Sequence, residues 1–223
     1  MGLFSKSKRA VSAPKRAESE NPQQSGNTAK APASALRDFS DLGDEDVSQY
    51  VDFGVFMVPQ VPGLSVRPDS LLAENTFGSL NLNYGQAAVE LLAVAAPKSA
   101  SLWEEYRGEL RAEVTKQGNT CEERTGSFGT ELFVQLHGVK DAHGKPVNAE
   151  MRYCGVDGSN WFVRLIFSRP LAVANTDLQT LEDIVRRVVV VRGSEPMSPR
   201  TVIPVTLPAD LVQQLEQMNS NQN

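Results

Sequence analysis

The stretch from Met151 to Ser168 narrows the options most, because two apolar runs, 151–156 and 160–168, meet at the dipeptide Asp157-Gly158. Asp-Gly supplies the positive φ angles of a primed turn, so the two runs are expected to pair antiparallel. Trp161, Val163, Leu165 and Phe167 then share one face. Other segments fit the same scheme. Residues 53–58 and 63–67 are short apolar stretches separated by Pro59 and Pro62-Gly63 and closed by Pro68-Asp69, which reads as two brief strands and a turn. Leu80, Leu82 and Tyr84 alternate with Asn81 and Asn83 before Gly85-Gln86, and residues 87–95 are then almost continuously apolar. This is the pattern of a half-buried strand, a tight turn and a more buried strand. Residues 120–124 and 130–136 bracket Gly126 to Gly129 as a further hairpin, and residues 137–149, with Gly138, Gly144 and Pro146, read as an exposed loop.

Two segments have helical periodicity. Over 101–117, Leu102, Trp103, Tyr106, Leu110 and Val114 form one stripe, Ser101 and Glu104 make a capping-box pair, and Gly118 stands where a left-handed C-cap is wanted. From Thr176, with Gln179 three residues on, Leu178, Leu181, Ile184, Val185 and Val188 line one side. The β-branched run 188–191 is suited to leaving the helix early. Prolines 196, 199, 204 and 208 forbid regular helix, so Val202, Val205 and Leu207 suggest an extended strip covering a sheet edge. Residues 210–218 suit a last short amphipathic helix. Strands, a helix, more strands and a second helix, without β-α-β alternation, give an α+β class: an antiparallel sheet sandwich flanked by two main helices.

Charge divides the chain further. Residues 1–37 carry seven bases against two acids, net +5, amid Ser, Ala, Pro, Gln and Asn. Such a segment buries too little apolar area to offset its ordering entropy and is expected to be a disordered basic arm. Residues 38–52 hold six acids and no base and are expected to be an acidic linker. The expected layout is therefore an arm at 1–37, a linker at 38–52, one α+β domain at 53–208, and a short helix with a polar tail at 209–223. Hydrophobic residues make up 40% of the 223, enough for one packed core. No apolar run approaches a membrane span and no signal-type stretch opens the chain, so a cytoplasmic protein without stable membrane insertion is expected.

Catalytic signatures are sparse. His137 and His143 flank Asp141 in the predicted loop, but their spacing matches no zinc pattern, so no metal is assigned and a hydrolase built on this loop is the least favoured reading. Cys121 and Cys154 lie in predicted strands, away from any helix N-terminus or Cys-x-x-Cys pair, and read as structural thiols. The glycine pairs at 126 and 129 and at 155 and 158 sit in hairpins and lack the helix start that a phosphate loop needs, so no cofactor is expected. No Gly-x-Ser-x-Gly elbow is present. No catalytic residue is assigned, which favours a non-enzymatic interaction module with a protein partner. The alternative is an accessory factor contacting nucleic acid weakly through Lys6, Lys8, Arg9, Lys15 and Arg16 of the arm. Candidate binding residues on the folded part are Trp161, Arg164, Arg192 and Arg200.

Three blocks, Leu102-Trp-Glu-Glu-Tyr-Arg-Gly-Glu-Leu110, Gly155-Val-Asp-Gly-Ser-Asn-Trp-Phe-Val-Arg164 and Val190-Val-Arg-Gly-Ser-Glu-Pro-Met-Ser-Pro-Arg200, follow one another after the basic arm and acidic patch. In that combination the chain resembles the domain of unknown function 3710 family of actinobacterial proteins, over about residues 50–208. The resemblance implies a cytosolic protein without a catalytic set to carry over, and a genomic setting near nucleotide and DNA metabolism. The expected order of elements is also similar to the sandwich of Mog1 and PsbP proteins, where an exposed sheet face or the rim of the Asp157-Gly158 turn would be the binding surface.

Overall fold

A computed structural model describes residues 36–97, 101–140, 146–168 and 175–213. The first strands are β1 (Arg37–Asp38), β2 (Tyr50–Asp52), β3 (Phe56–Pro59), β4 (Leu64–Ala73), β5 (Thr76–Tyr84) and β6 (Ala87–Ala95). Helix α1 (Leu102–Lys116) leads into β7 (Thr120–Gly126), β8 (Gly129–Lys140), β9 (Pro146–Asp157) and β10 (Trp161–Ser168). Helix α2 (Asn175–Arg187), β11 (Val189–Val190) and β12 (Val205–Thr206) complete the order. Among the described residues the strands form two sheets. The larger follows β12-β5-β6-β10-β9-β8-β7, with β4 also on β5, and the smaller runs β1-β11-β3-β2. Every strand pairing is antiparallel except β1 with β11. The antiparallel α+β class read from the sequence is the one observed.

Period two puts opposite faces of the large sheet to different uses. In β6, Ala87, Val89, Leu91, Ala93 and Ala95 are buried while the residues between them are half-buried. Ala87, Val89, Leu91 and Ala93 pack with Val163, Leu165 and Phe167 of β10, with Leu178, Leu181 and Val185 of α2, and with Phe56 and Val58 of the small sheet. The other face carries α1, whose Leu102 and Trp103 meet Phe162 and whose Val114 meets Leu132 and Val134. Ser101 caps α1 as expected, its side chain accepting from the Glu104 amide, and Gly118 takes φ +76° at the other end. The run after α2 leaves the helix at once, as β11.

Several expectations are corrected. Asp157-Gly158 does join a hairpin, but Gly158 is not in the left-handed region: a Cβ there would lie 2.1 Å from the Trp161 ring, so closeness and not φ demands glycine. Pro68-Asp69 does not end a strand. β4 runs through it to Ala73, because β4 bonds to β5 alone and a missing amide is tolerated on the outer side of such a strand. The predicted loop 137–149 is largely strand. β8 reaches Lys140 and β9 begins at Pro146, a register shift between Leu136 and Val139 absorbing Gly138. Residues 141–145 lie outside the described residues, as does His143.

The acidic segment is not a linker. Asp38 and Arg37 pair with β11, Tyr50–Asp52 pairs with β3, and Leu42, Val47 and Tyr50 pack with Met57 and Val189. Counting charge alone hides these apolar residues. Two of the acids are answered locally, Glu45 by Arg37 at 2.6 Å and Asp52 by the Gly54 amide at 2.8 Å. The proline strip covers the part of β6 beyond Leu91 that β5 leaves free: the Ile203 amide donates to Ala93, the Ala95 amide to Thr201, and Val205 pairs with Phe77 of β5. Of the expected terminal helix, residues 209–213 are helical and the rest lies outside the described residues, as do the arm residues Lys6, Lys8, Arg9, Lys15 and Arg16.

Candidate functional site: the groove under α1

The β6–β10 register places Arg164 opposite Leu92 and Phe162 opposite Val94, four side chains on the face that α1 crosses. Leu102, Tyr106 and Glu109 descend from the helix and Arg200 reaches in from the proline strip, together enclosing a groove of about 240 Å³. Its wall is aromatic. Tyr106, Trp103 and Phe162 form a cluster with ring centroids 6.1 to 6.4 Å apart. Trp103 is fixed by donating its Nε1–H to the Thr130 carbonyl at 2.7 Å, and it lies over Gly155, where a Cβ would stand 2.3 Å from the ring.

Charges line the groove in two groups. At the floor Arg164 contacts Glu90 through Nη2 and donates from Nη1 to the Tyr106 hydroxyl at 3.4 Å, while its buried Nε has no partner. Burial works against the Arg164 charge, but Tyr106 and Glu90 outweigh it and hold the pKa above the ordinary arginine value. At the rim Arg200 bridges two successive turns of α1, 2.7 Å from Glu105 and 3.2 Å from Glu109. The Arg200 backbone is held by its amide donating to Ala95 at 2.8 Å, yet its φ is +66°, a left-handed conformation unfavourable for a residue with a Cβ.

The sequence-derived candidates divide. Arg164 and Arg200 come together here. Trp161 does not: it is 1% exposed and donates Nε1–H to Asp38 at 2.6 Å, fastening β1 to β10 from within the core. Arg192 is half-buried and donates to the Asn160 carbonyl at 3.2 Å, beside the β9–β10 turn and off the groove lining. His137 falls within β8. Cys121 packs on the α1 side and Cys154 in the main core, two free thiols on opposite faces of the sheet. Tyr106 and Glu90 were missed. A lone acid inside the apolar run 87–95 was the available signal for Glu90.

A second charged cluster lies on the opposite face. Glu131, with no exposed surface, accepts from the Phe128 amide at 2.9 Å and faces Arg152 at 3.4 Å. Arg152 also pairs with Glu182 of α2 at 2.6 Å and lies 4.2 Å over the Phe167 ring. Ser127 and Arg186 complete the shell around Glu182. Glu131 approaches Gly126 so closely that a Cβ would meet its carboxyl group at 2.3 Å. Ion pairs link these groups across the hairpin, β9 and α2, while Glu131 Oε2 and the Arg152 Nε and Nη2 make no hydrogen bond, and their arrangement is that of a structural tie.

The model of the family described as Protein of unknown function (DUF3710) matches residues 37–214. The chain belongs to this family. No curated protein matches the DUF3710 chain. Among solved structures it is similar to a Bacteroides thetaiotaomicron protein, 12% identical with a TM-score of 0.42 over 74% of this chain and 55% of that one. The DUF3710 chain thus spans about half the length of that protein. It is also similar to cyanobacterial PsbP (CyanoP) from Synechocystis, 11% identical, TM-score 0.37, over 66% of this chain and 95% of that one. A variant of the protein Mog1 is 14% identical with a TM-score of 0.32, over 64% of this chain and 95% of that one. Among the described residues no helix is long and apolar enough to cross a membrane.

Proposed function

We propose that this DUF3710 chain is a cytosolic, non-enzymatic interaction module that docks a partner protein in the groove under α1. One observation carries the reading: the three sequence blocks singled out above meet there. Trp103 of the first lies on Gly155 of the second, Tyr106 of the first meets Arg164 of the second, and Arg200 of the third bridges Glu105 and Glu109 of the first. Asp157 joins them, accepting from Ser101 at 2.6 Å and from the Leu102 amide at 2.9 Å. Aromatic walls, aliphatic side chains around an internally paired arginine, and a polar rim are the composition of an interface centre.

The test is affinity capture from the host with the tagged full-length protein, a form lacking residues 1–35, and a groove-filling Leu92→Trp variant, each with and without nuclease. The reading expects a partner recovered by the first two, resistant to nuclease and lost with Leu92→Trp. Recovery that requires both nucleic acid and residues 1–35 would instead support an accessory factor of nucleotide or DNA metabolism acting through Lys6, Lys8, Arg9, Lys15 and Arg16.

A further inference from the structure

The rim of the groove already contains a basic side chain, and its ion pairs are exposed. Among the described residues Arg200 is the ion-pair partner of both Glu105 and Glu109, whereas Arg164 spends its charge inward on Glu90. Take the Arg200 guanidinium away and Glu109 on the groove lining, with Glu105 one turn earlier on α1, loses its countercharge. The side chains of Arg200, Glu105 and Glu109 are 50%, 57% and 56% exposed, so water screens the pairs and holds them weakly. The backbone stays in place, its amide donating to Ala95 at 2.8 Å, so only the side chain has to swing for the guanidinium to leave. What remains when Arg200 withdraws suits one kind of group. Leu92, Val94 and Leu102 offer contact to an aliphatic stem, the Tyr106 and Phe162 faces attract a cation, and Glu105 with Glu109 accept hydrogen bonds from a planar fork.

We infer that the groove receives an arginine side chain of the partner protein, which displaces Arg200 from Glu105 and Glu109. Arg200 is then a built-in competitor that holds the free protein in a closed form. An arginine is favoured over lysine because its fork can engage both carboxylates at once. This inference rests on the groove being the docking surface. An acidic partner would instead need to draw Arg200 away from two carboxylates and would meet their repulsion.

The experiment titrates full-length protein, followed by backbone amide NMR, with three blocked pentapeptides: acetyl-Gly-Leu-Arg-Leu-Gly-amide and its norleucine and glutamate counterparts at the central position. Each is added to wild type and to Arg200→Gly, a variant whose backbone suits φ +66° and so keeps the fold. The arginine peptide is expected to bind Arg200→Gly at least tenfold more tightly than wild type, with shifts centred on α1 and β10. Adding Glu109→Gln should return it to the wild-type level. Arginine-peptide binding no tighter on Arg200→Gly, or preference for the glutamate peptide, would overturn the inference. If all three peptides shift the groove signals alike, the docking reading stands and the arginine preference falls. If none shifts them on either protein, both fall.

Discussion

Gly158 and Gly155 are glycines because tryptophans press on them, Trp161 on the first and Trp103 on the second. At Gly158 a Cβ would meet the aromatic ring well inside contact distance, and neither ring has room to withdraw, each being nearly fully buried. Gly158→Ala is expected to lower stability by about 1–3 kcal/mol through overpacking, read from the urea midpoint. Gly118→Ala provides the comparison: nothing lies within 4 Å of its Cβ, so only the cost of φ +76° applies. A loss at 118 as large as at 158 would contradict the steric account. Sequence showed where both glycines sit but assigned the wrong reason at 158, because Asp-Gly signals a turn residue and carries no information about the ring three positions on. The same blindness kept Trp161 among the candidate binding residues, although the face it shares with Val163, Leu165 and Phe167 already favoured a core aromatic. Its partner, Asp38, is 123 residues away, and no local pattern reports such a contact.

At the level of elements, α1 was legible at both ends because caps and a 3.6-residue stripe are local signals. The strands β8 and β9 were underestimated because their continuation past Gly138 and Pro146 depends on each other's hydrogen bonds. The tie between the β7–β8 turn, β9 and α2 was wholly hidden, since Glu131, Arg152 and Glu182 look like ordinary surface charges until the sheet and helix bury them. Removing Arg152 leaves the buried Glu131 and Glu182 without its countercharge. Arg152→Met is therefore expected to destabilise by about 3–5 kcal/mol in chemical denaturation. A change within about 0.5 kcal/mol would mean that the cluster relaxes into solvent and ties nothing.

Across the whole molecule, the chain closes on itself through β1, which lies parallel to β11 and is fastened to β10 by Asp38. Burial raises the Asp38 pKa, but hydrogen bonds from Ser40, Trp161 and Ser159 outweigh it and leave the carboxyl below its ordinary range. A depressed folded-state pKa contributes stability that is present above the unfolded value of about 4 and is lost as pH falls through the folded one. The stability gap between wild type and Asp38→Asn should thus be full at about pH 6 and shrink below about pH 4. A gap constant across urea titrations from neutral to acid would show that the charge plays no part. The candidate groove is assembled at the same scale. Arg164 and Arg200 were visible singly, while Tyr106, Glu90 and the enclosure between them required the sheet register and the helix crossing it. Hydrogen exchange on the captured complex locates the partner most directly. Added protection is expected in residues 90–96, 102–110, 162–166 and 200–203, and nowhere comparable. Protection confined to other surfaces, with these four segments exchanging as in the free protein, would contradict docking in the groove.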